Sequence, residues 1–307
     1  MLIDWDRVKI NEPTIVTIGV FDGVHRGHQV ILSLLLERSF ALGLPGVVVT
    51  FDPHPSEVIK KEKIEFLLDL KDRLDFIDQF PHMYNILINF DEKFAEKTAE
   101  SFIAEMKEKI NMREIVIGYN FQFGKGRKGN AKFLQEIAEK YKFKVSIVPP
   151  VEYEGLPISS SRIREALKRG NVTSATEMLG RYFYLKGRVI RGKGLGKEIG
   201  FPTANISPPK RIIIPKLGVY ASIGRVDDEK LIGVTNIGYA PSLKGEEITV
   251  ETHFLDFNKD IYDKLIKIEL VEYIRPEIKF NSLEQLVNQI NFDIKSTRDI
   301  IKKKISG

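Results

Sequence analysis

The first half of the chain alternates short β-branched runs with amphipathic helical patterns, and this alternation constrains the fold more than any other feature. The runs that we interpret as buried strands begin at Thr14, Gly46, Asn85, Glu114 and Phe143. The helical patterns between them are HQVILSLLLERSFALG, KDRLDFIDQF, KTAESFIAEMKEKI and NAKFLQEIAEKY. This order predicts a parallel sheet covered by helices on both faces, which binds ligands at the carboxyl ends of its strands.

The second half has a different pattern. From Tyr184 onward, strand-like runs are separated by glycine, proline and charged turns with no long helix among them, which predicts an antiparallel sheet or barrel. The preceding segment predicts two short helices broken at Gly170 and Asn171, and a final helix is predicted after Asn281, with Ser282 as its N-cap. We therefore predict two domains, residues 1–183 and 184–307.

Composition narrows the class of protein. The chain has no cysteine, so disulfides and thiolate zinc sites are excluded. Its net charge of +5 comes from 47 basic and 42 acidic residues spread along the chain, which suits nucleotide substrates as well as nucleic acid. No apolar run is as long as a membrane span, and no secretory signal is recognisable. We expect a cytoplasmic protein with small-molecule substrates, no nucleic-acid or membrane partner, and a monomeric or weakly homo-oligomeric state.

The segment GVFDGVHRGH places His25 and His28 three residues apart, where a predicted strand gives way to a helix. If the helix begins near Arg26, both imidazoles lie at its amino end, where unpaired N–H groups favour phosphate. Asp22 could cap this helix. A helix start with ordinary polar histidines is an equally good interpretation of the motif alone. Zinc suits it less well, because the remaining histidines form no ligand-spaced cluster.

Three further segments favour the phosphate interpretation. TFDPHP and GYNFQFG follow predicted strands, and ISSSRIR opens a predicted helix with hydroxyls and guanidinium groups that suit phosphate. A capped surface helix would explain the serines alone, but not four such segments meeting at one edge of a sheet.

These four segments, in this order, resemble the adenylyltransferase module of the bacterial bifunctional riboflavin kinase/FAD synthetases. The resemblance implies a Rossmann-like nucleotidylyltransferase domain that transfers AMP from ATP to FMN. It further implies catalytic roles for His25, His28 and Asn120. The implied ATP-binding residues are Gly19, Phe21, Asp22, His25, His28, Ser160, Ser161 and Arg164. Candidates for the apolar walls of the flavin site are Phe51, Pro53, Pro55 and Phe123.

Two glycine-rich loops have glycines spaced as in dinucleotide-binding loops, but the residues around them do not fit that function. GKGRKG, from Gly124 to Gly129, lies beyond the end of its strand and has no acidic residue at the expected distance, so a basic lid over phosphates explains it better. GKGLG, from Gly192, is followed by Phe201 and Pro202, and we expect no helix there.

The second candidate site begins in GFPTAN. In an extended segment, Thr203 and Asn205 would present a hydroxyl and an amide oxygen on one face, and such ligands suit Mg²⁺ bridged to nucleotide phosphates. Taken alone, a turn with ordinary side-chain hydrogen bonds is the simpler interpretation. In ITVETHF, alternation places Glu251 on the face opposite Val250 and Thr252, either as a solvated residue or as a carboxylate directed at a substrate.

Together with KLGVYAS, GVTNIGYAPS, VETHFLDFNKDIY and YIRPEIKFNSLEQL, this segment resembles the riboflavin kinase module of the same family. The resemblance implies a six-stranded antiparallel barrel with a C-terminal helix. It assigns Thr203 and Asn205 to Mg²⁺ and Glu251 to the catalytic base. The implied ATP-binding residues are Gly192, Gly194, Lys197, Gly200, Thr203 and Asn205, with Lys193 in the same loop.

The leading hypothesis is a bifunctional enzyme that converts riboflavin to FMN and FMN to FAD, using ATP and Mg²⁺. The chain departs from the family pattern at Lys197, where arginine is usual, at the PSL segment from Pro241 to Leu243, and at Asp263. None of these positions is a proposed metal ligand or base. The alternatives are retention of one activity only, or a flavin-responsive or RNA-binding regulator on the same scaffold.

Overall fold

The computed structural model describes residues 2–192, 194–227, 229–242 and 245–306. It divides the chain into two compact units, Met1–Ser160 and Ser161–Gly307. This division precedes the predicted boundary at residue 183, because the helix Val172–Leu179 contacts strands of the second unit. The boundary between the two catalytic modules, predicted at residue 183, stays a prediction.

The first unit is an α/β structure. Its strands are β1 (Leu2–Asp4), β2 (Thr14–Ile18), β3 (Gly46–Asp52), β4 (Met83–Asn89), β5 (Met112–Gly118), β6 (Gln122–Phe123), β7 (Gly129–Asn130), β8 (Lys144–Val148), β9 (Glu152–Tyr153) and β10 (Leu156–Pro157). Its helices are α1 (Arg26–Leu42), α2 (Pro55–Ile59), α3 (Leu70–Ile77), α4 (Glu92–Ala95), α5 (Ala99–Ile110) and α6 (Ala131–Tyr141), with short 3₁₀ turns at Asp22–Val24 and Lys125–Arg127.

The main sheet has six strands in the order β1-β4-β3-β2-β5-β8, and every neighbouring pair is parallel. The five predicted strands and the four predicted helices between them are confirmed. All five residues of β2 are buried, which explains why a continuous β-branched run forms the centre of the sheet. The edge strand β1 was not predicted, because three residues carry no readable periodicity.

The second unit contains a closed antiparallel barrel, as expected. Its strands are β11 (Phe183–Ile190), β12 (Ala204–Ile206), β13 (Gly218–Val226), β14 (Glu229–Ser242), β15 (Gly245–Phe254) and β16 (Leu265–Arg275). They are ordered β11-β12-β15-β14-β13-β16, and pairing of β16 with β11 closes the barrel. Val250, Thr252 and Phe254 are buried on the inner face of β15, which confirms the predicted alternation.

In the part of the second half that the structure describes, four helices accompany the barrel strands. They are α7 (Ser160–Lys168), α8 (Val172–Leu179), α9 (Leu195–Glu198) and α10 (Leu283–Ser306). α8 contacts β11 and β16, and α10 contacts β13, β14 and β16. The predicted N-cap of α10 is confirmed, since the backbone N–H of Gln285 donates to Ser282 Oγ at 3.2 Å. The one-turn helix α9 corrects the expectation that no helix follows the GKGLG segment. None of the helices among the described residues has the length and apolar character needed to cross a membrane.

Candidate active sites

The first candidate site lies at the carboxyl edge of the parallel sheet, between β2 and β5. The chain leaves β2 toward β3 on one side and leaves β5 toward β8 on the other. Ligands of open parallel sheets bind in the crevice at such a reversal of strand order. GVFDGVHRGH follows β2 and Tyr119 and Asn120 follow β5, so the sheet topology brings two of the predicted motifs to one crevice.

The turn from β2 into α1 has an unusual backbone conformation. Phe21, Gly23 and Val24 have φ angles of 54°, 79° and 38°, in the left-handed region. Phe21 is buried and lies edge-on to the His28 ring, with 5.2 Å between ring centroids. The turn thereby directs both histidines toward the carboxyl edge.

His25 and His28 form one stacked unit at the start of α1. Their ring centroids lie 3.6 Å apart with an interplanar angle of 17°. His25 is the N-cap, since its Nδ1 accepts a hydrogen bond from the backbone N–H of His28 at 3.3 Å. An accepting Nδ1 cannot carry a proton, so in this geometry Nε2 of His25 carries it. A Cβ on Gly27 would lie 3.2 Å from the His25 ring, which explains the glycine.

Asp22 does not cap α1, and the predicted role is wrong because His25 takes that position. The Asp22 carboxylate is 3% exposed and accepts hydrogen bonds from the backbone N–H groups of Leu67 and Leu68, at 2.9 and 3.4 Å. It therefore ties the turn after β2 to the segment that leads into α3. Ser160 Oγ donates to the Asp22 carbonyl at 2.9 Å, so the ISSSRIR segment begins at this same turn.

Arg73 is a structural residue of this site that sequence reasoning missed. Its side chain is 2% exposed and donates to the carbonyl oxygens of Val20 and Phe51, both at 2.9 Å. It thus joins the loops at the carboxyl ends of β2 and β3. No sequence signal identifies it, because an arginine on an amphipathic helix is usually solvated.

The remaining adenylyltransferase candidates lie in different surroundings. Asn120 is exposed, and a Cβ on Gly118 would lie 3.7 Å from its Oδ1, so the amide lies close to the end of β5. Gly19 follows β2 and donates to the Val49 carbonyl at 3.0 Å. Ser161 and Arg164 belong to the second unit, where Arg164 Nη2 lies 3.4 Å from Ser161 Oγ.

The flavin-wall candidates divide between the core and the surface. Phe51 and Phe123 are each 9% exposed and belong to the hydrophobic core of the first unit. Pro53 and Pro55 are half-buried, and Pro55 opens α2. The GKGRKG segment after Phe123 forms a tight β6–β7 hairpin, and its Gly124 packs so closely that a Cβ would lie 2.6 Å from the Ala99 nitrogen.

The second candidate site lies on the outer face of the barrel. Asn205 in β12 is paired directly with Glu251 in β15, so their side chains project side by side. Asn205 is 8% exposed, and its Nδ2 donates to Thr203 Oγ1 at 3.2 Å and to the Thr203 carbonyl at 3.3 Å. The structure therefore brings together all three residues that sequence analysis singled out.

The glycine loop before β12 folds against these residues. A Cβ on Gly192 would lie 2.5 Å from Asn205 Nδ2, and a Cβ on Gly196 would lie 2.5 Å from the Phe201 carbonyl oxygen. Gly194 and Gly200 have φ angles of 83° and 88°, which favour glycine. Lys197 lies in α9, and Lys193 lies outside the described residues.

The donor set at Thr203 and Asn205 fits magnesium. The amide nitrogen of Asn205 is engaged with Thr203, so its Oδ1 is the atom oriented to act as a hard ligand beside the threonine hydroxyl. The space beside the amide is available only because residue 192 is glycine. In the part of the chain that the structure describes, no group of three histidine, aspartate or glutamate side chains could hold a metal, so a metal here would need ligands of other kinds beside Thr203 and Asn205.

Comparisons with known proteins match both halves of the chain. An FAD synthetase family model matches residues 7–162, and a riboflavin kinase family model matches residues 179–301. A bifunctional riboflavin kinase/FMN adenylyltransferase from Listeria monocytogenes is 34% identical over 292 residues, covering 94% of this chain and 93% of the relative. The protein of that name from Escherichia coli is 36% identical over 291 residues, with the same coverage. A crystal structure from Streptococcus pneumoniae, described as a macrolide-efflux protein, is 32% identical, with a TM-score of 0.89 over 97% of this chain and 98% of that one.

Proposed function

The chain belongs to the family of bifunctional riboflavin kinase/FMN adenylyltransferases, and we propose that the two sites described above divide its two reactions between them. The second unit phosphorylates riboflavin with ATP, giving FMN and ADP. The first unit transfers AMP from ATP to FMN, giving FAD and pyrophosphate. The assignment rests on the side-by-side placement of Asn205 and Glu251 and on the stacked histidines at the switch point of the sheet.

For adenylyl transfer, the protein needs to position phosphates and stabilise charge. An oxygen of the FMN phosphate attacks the α-phosphorus of ATP in line, and the bond to pyrophosphate breaks. His25 and His28 stand at the amino end of α1, where the helix dipole and the Nε2–H of His25 stabilise charge on the non-bridging oxygens. Asn120 orients the reacting phosphates, and Ser160 holds the triphosphate, while the roles implied for Ser161 and Arg164 stay predictions. Pro53 and Pro55 present apolar surface to the flavin, with Phe51 and Phe123 behind them.

For riboflavin phosphorylation, Glu251 is the general base. Its carboxylate accepts the proton of the riboflavin 5′-hydroxyl as that oxygen attacks the γ-phosphorus, and ADP leaves. Thr203 and Asn205 would hold Mg²⁺ against the phosphates, and the bound ion would neutralise charge that develops during transfer. The loop from Gly192 to Gly200 covers the phosphates, with Lys197 supplying positive charge.

The alternatives from sequence analysis are less well supported. The two family models together match most of the chain, and curated relatives with the combined name match it over 94% of its length, which favours retention of both activities. A flavin-responsive or RNA-binding regulator is not favoured by any of these matches. Cytoplasmic location, the absence of nucleic-acid partners and a monomeric or weakly oligomeric state stay predictions.

One incubation tests the proposal. Purified protein is mixed with riboflavin, ATP and Mg²⁺, and the flavins are separated by chromatography over time. We expect FMN to appear first and FAD to follow. A second incubation with FMN in place of riboflavin measures adenylyl transfer alone. If neither incubation yields a new flavin, the proposed function is wrong.

A further inference from the structure

A polar row crosses the outer face of the barrel, and one member of it has no role in the reactions described above. Glu251 in β15 pairs with Asn205 of β12 on one side and with Asn236 of β14 on the other. Directly paired residues project on the same face, so the catalytic base is flanked by two amides. Asn205 belongs to the nucleotide side of the site, whereas Asn236 lies on the opposite side of Glu251.

A second carboxylate is seated beside Asn236. Glu277, from the segment between β16 and α10, accepts a hydrogen bond from Asn236 Nδ2 at 3.1 Å. Its carboxylate lies over Gly238, where a Cβ would stand 2.1 Å from Glu277 Oε1. Strand β14 therefore has a notch at residue 238 that only glycine leaves open, and the carboxylate occupies this notch.

The segment that carries Glu277 is anchored firmly. Arg275 forms a bidentate ion pair with Asp293 of α10, with Nε to Oδ1 at 3.0 Å and Nη2 to Oδ2 at 2.7 Å. Gln289 Nε2 also donates to Asp293 Oδ1 at 2.9 Å. The Asp293 side chain is 2% exposed, so this pair is shielded from solvent. The position of Glu277 is thus set by both the barrel and α10.

The geometry of in-line transfer determines which substrate approaches Glu277. The attacking oxygen and the departing ADP must lie on opposite sides of the γ-phosphorus. As the proposed ligands of the Mg²⁺–nucleotide complex, Thr203 and Asn205 would hold the phosphates on the β12 side of Glu251. The acceptor alcohol must therefore reach Glu251 from the β14 side, across Asn236 and Glu277.

We propose that Glu277, held by Asn236 in the Gly238 notch, binds the secondary hydroxyls of the ribityl chain and so selects a polyol as the acceptor in riboflavin phosphorylation. A carboxylate accepts several hydrogen bonds at once, so Glu277 can accept from Asn236 and from a ribityl hydroxyl together. Hydrogen bonds to charged groups are strong, and a missing one leaves the partner unsatisfied. This inference rests on the assignment of kinase activity to the second unit.

The test separates recognition of the acceptor from recognition of ATP. Full-length protein with Glu277→Ala, Glu277→Gln or Gly238→Ala is compared with the unmodified chain and with Glu229→Gln, which removes an exposed carboxylate from the start of the same strand. KM for riboflavin and for ATP are measured in the kinase assay. Binding of riboflavin and of lumiflavin, which lacks the ribityl chain, is measured by quenching of flavin fluorescence with ADP and Mg²⁺ present.

We expect Glu277→Ala and Gly238→Ala to weaken riboflavin binding and raise its KM by about tenfold or more, with the KM for ATP changed less than about twofold. Lumiflavin binding should be unchanged in every variant, and Glu229→Gln should behave as the unmodified chain. Unchanged riboflavin affinity in Glu277→Ala, or equal weakening of riboflavin and lumiflavin, would overturn the inference. If the unmodified chain binds riboflavin but forms no FMN, the kinase assignment fails, while the binding comparison still decides the role of Glu277.

Discussion

At the scale of single residues, strand pairing and turn contacts hold the candidate site residues in place. Thr203, Asn205 and Glu251 are brought together as expected, because strand periodicity fixes which residues share a face. Asp22 was misassigned, because an aspartate before a helix is an ordinary cap and only the structure shows His25 in that position. Glu277 could not be found from sequence, since its place depends on a notch in a distant strand.

Separate sites predict reciprocal losses of activity. His28→Ala should lower FAD synthesis from FMN about 100-fold or more, since it removes a group that stabilises charge on the phosphates, while FMN still accumulates from riboflavin. Glu251→Gln should lower FMN formation by a similar factor, since it removes the base, and leave FAD synthesis from supplied FMN intact. Both rates are measured by flavin chromatography. Loss of both activities in either folded variant would contradict independent sites.

Gly192→Ala tests whether kinase activity needs the close packing of residue 192 against the Asn205 amide. The added methyl group would overlap the Asn205 amide, which is buried and held by Thr203, so the amide must lose its hydrogen bonds. We expect kinase activity to fall by about tenfold or more, equivalent to at least ~1.4 kcal/mol in the barrier. Gly155→Ala is a control in the other unit: a Cβ there meets no atom, and the strain from its φ of 71° is confined to the turn between β9 and β10. Equal kinase rates in the two variants would show that this close packing at residue 192 is not required for activity.

At the scale of elements, one buried ion pair joins α1 to the sheet. Arg38 donates to both carboxylate oxygens of Glu114 at 2.9 Å, and Ser146 Oγ donates to the same carboxylate at 2.7 Å. Burial raises the pKa of Glu114, but the hydrogen bonds and charge of Arg38 outweigh it, so the pKa lies below its ordinary value. α1, β5 and β8 are thereby connected beneath the first candidate site.

This pair makes stability depend on pH in a defined direction. Because the pKa of Glu114 is lower in the folded state, the pair stabilises fully above the unfolded pKa of about 4.3, and this contribution is lost as the pH falls through the lower folded value. In Arg38→Met, burial would be opposed only by the hydrogen bond from Ser146 and the charge of Lys144, and the pKa of Glu114 would rise, so the variant should be least stable relative to the unmodified chain at pH 7.

Urea unfolding followed through Trp5 measures this effect, since the single tryptophan of the chain lies buried in the first unit. We expect the difference in urea midpoint between Arg38→Met and the unmodified chain to shrink as the pH is lowered from 7 toward 4. A difference that is constant with pH would show that the ion pair does not account for the stabilisation.

The regular elements were predictable for a simple reason. β2, β3 and β5 are largely buried and rich in β-branched residues, and β15 alternates between its two faces, so each carries a readable pattern. β1 and α9 carry none, because their few residues are ordered by neighbouring structure rather than by their own pattern. The elements missed by sequence analysis are those too short to show a period.

At the scale of the whole molecule, the division at Ser160 assigns α8 to the barrel unit. Val172, Ala175, Met178 and Leu179 of this helix are each 2% exposed or less. Near the end of α7, the backbone N–H of Lys216 donates to the Leu167 carbonyl at 2.9 Å. A fragment that begins at residue 184 would therefore lack part of its own core.

Two fragments test this division. The fragment 161–307 should fold and phosphorylate riboflavin, whereas 184–307 should melt at least about 10 °C lower, because it exposes apolar surface of β11 and β16. Differential scanning calorimetry measures both transitions, and the kinase assay reports whether each fragment is native. Equal melting temperatures would show that α7 and α8 do not stabilise the barrel.

The pairing of the short strand β1 with β4 determines when β1 can join the sheet during synthesis. Leu2–Asp4 are synthesised before β2, β3 and β4, yet they pair in register with Asn85–Leu87 of β4. Pairing must wait until β4 has been synthesised, by which time β2 and β3 have already emerged. β1 can therefore join the sheet only after these later strands have been made, and until it does, the edge of β4 is open to a neighbouring nascent chain.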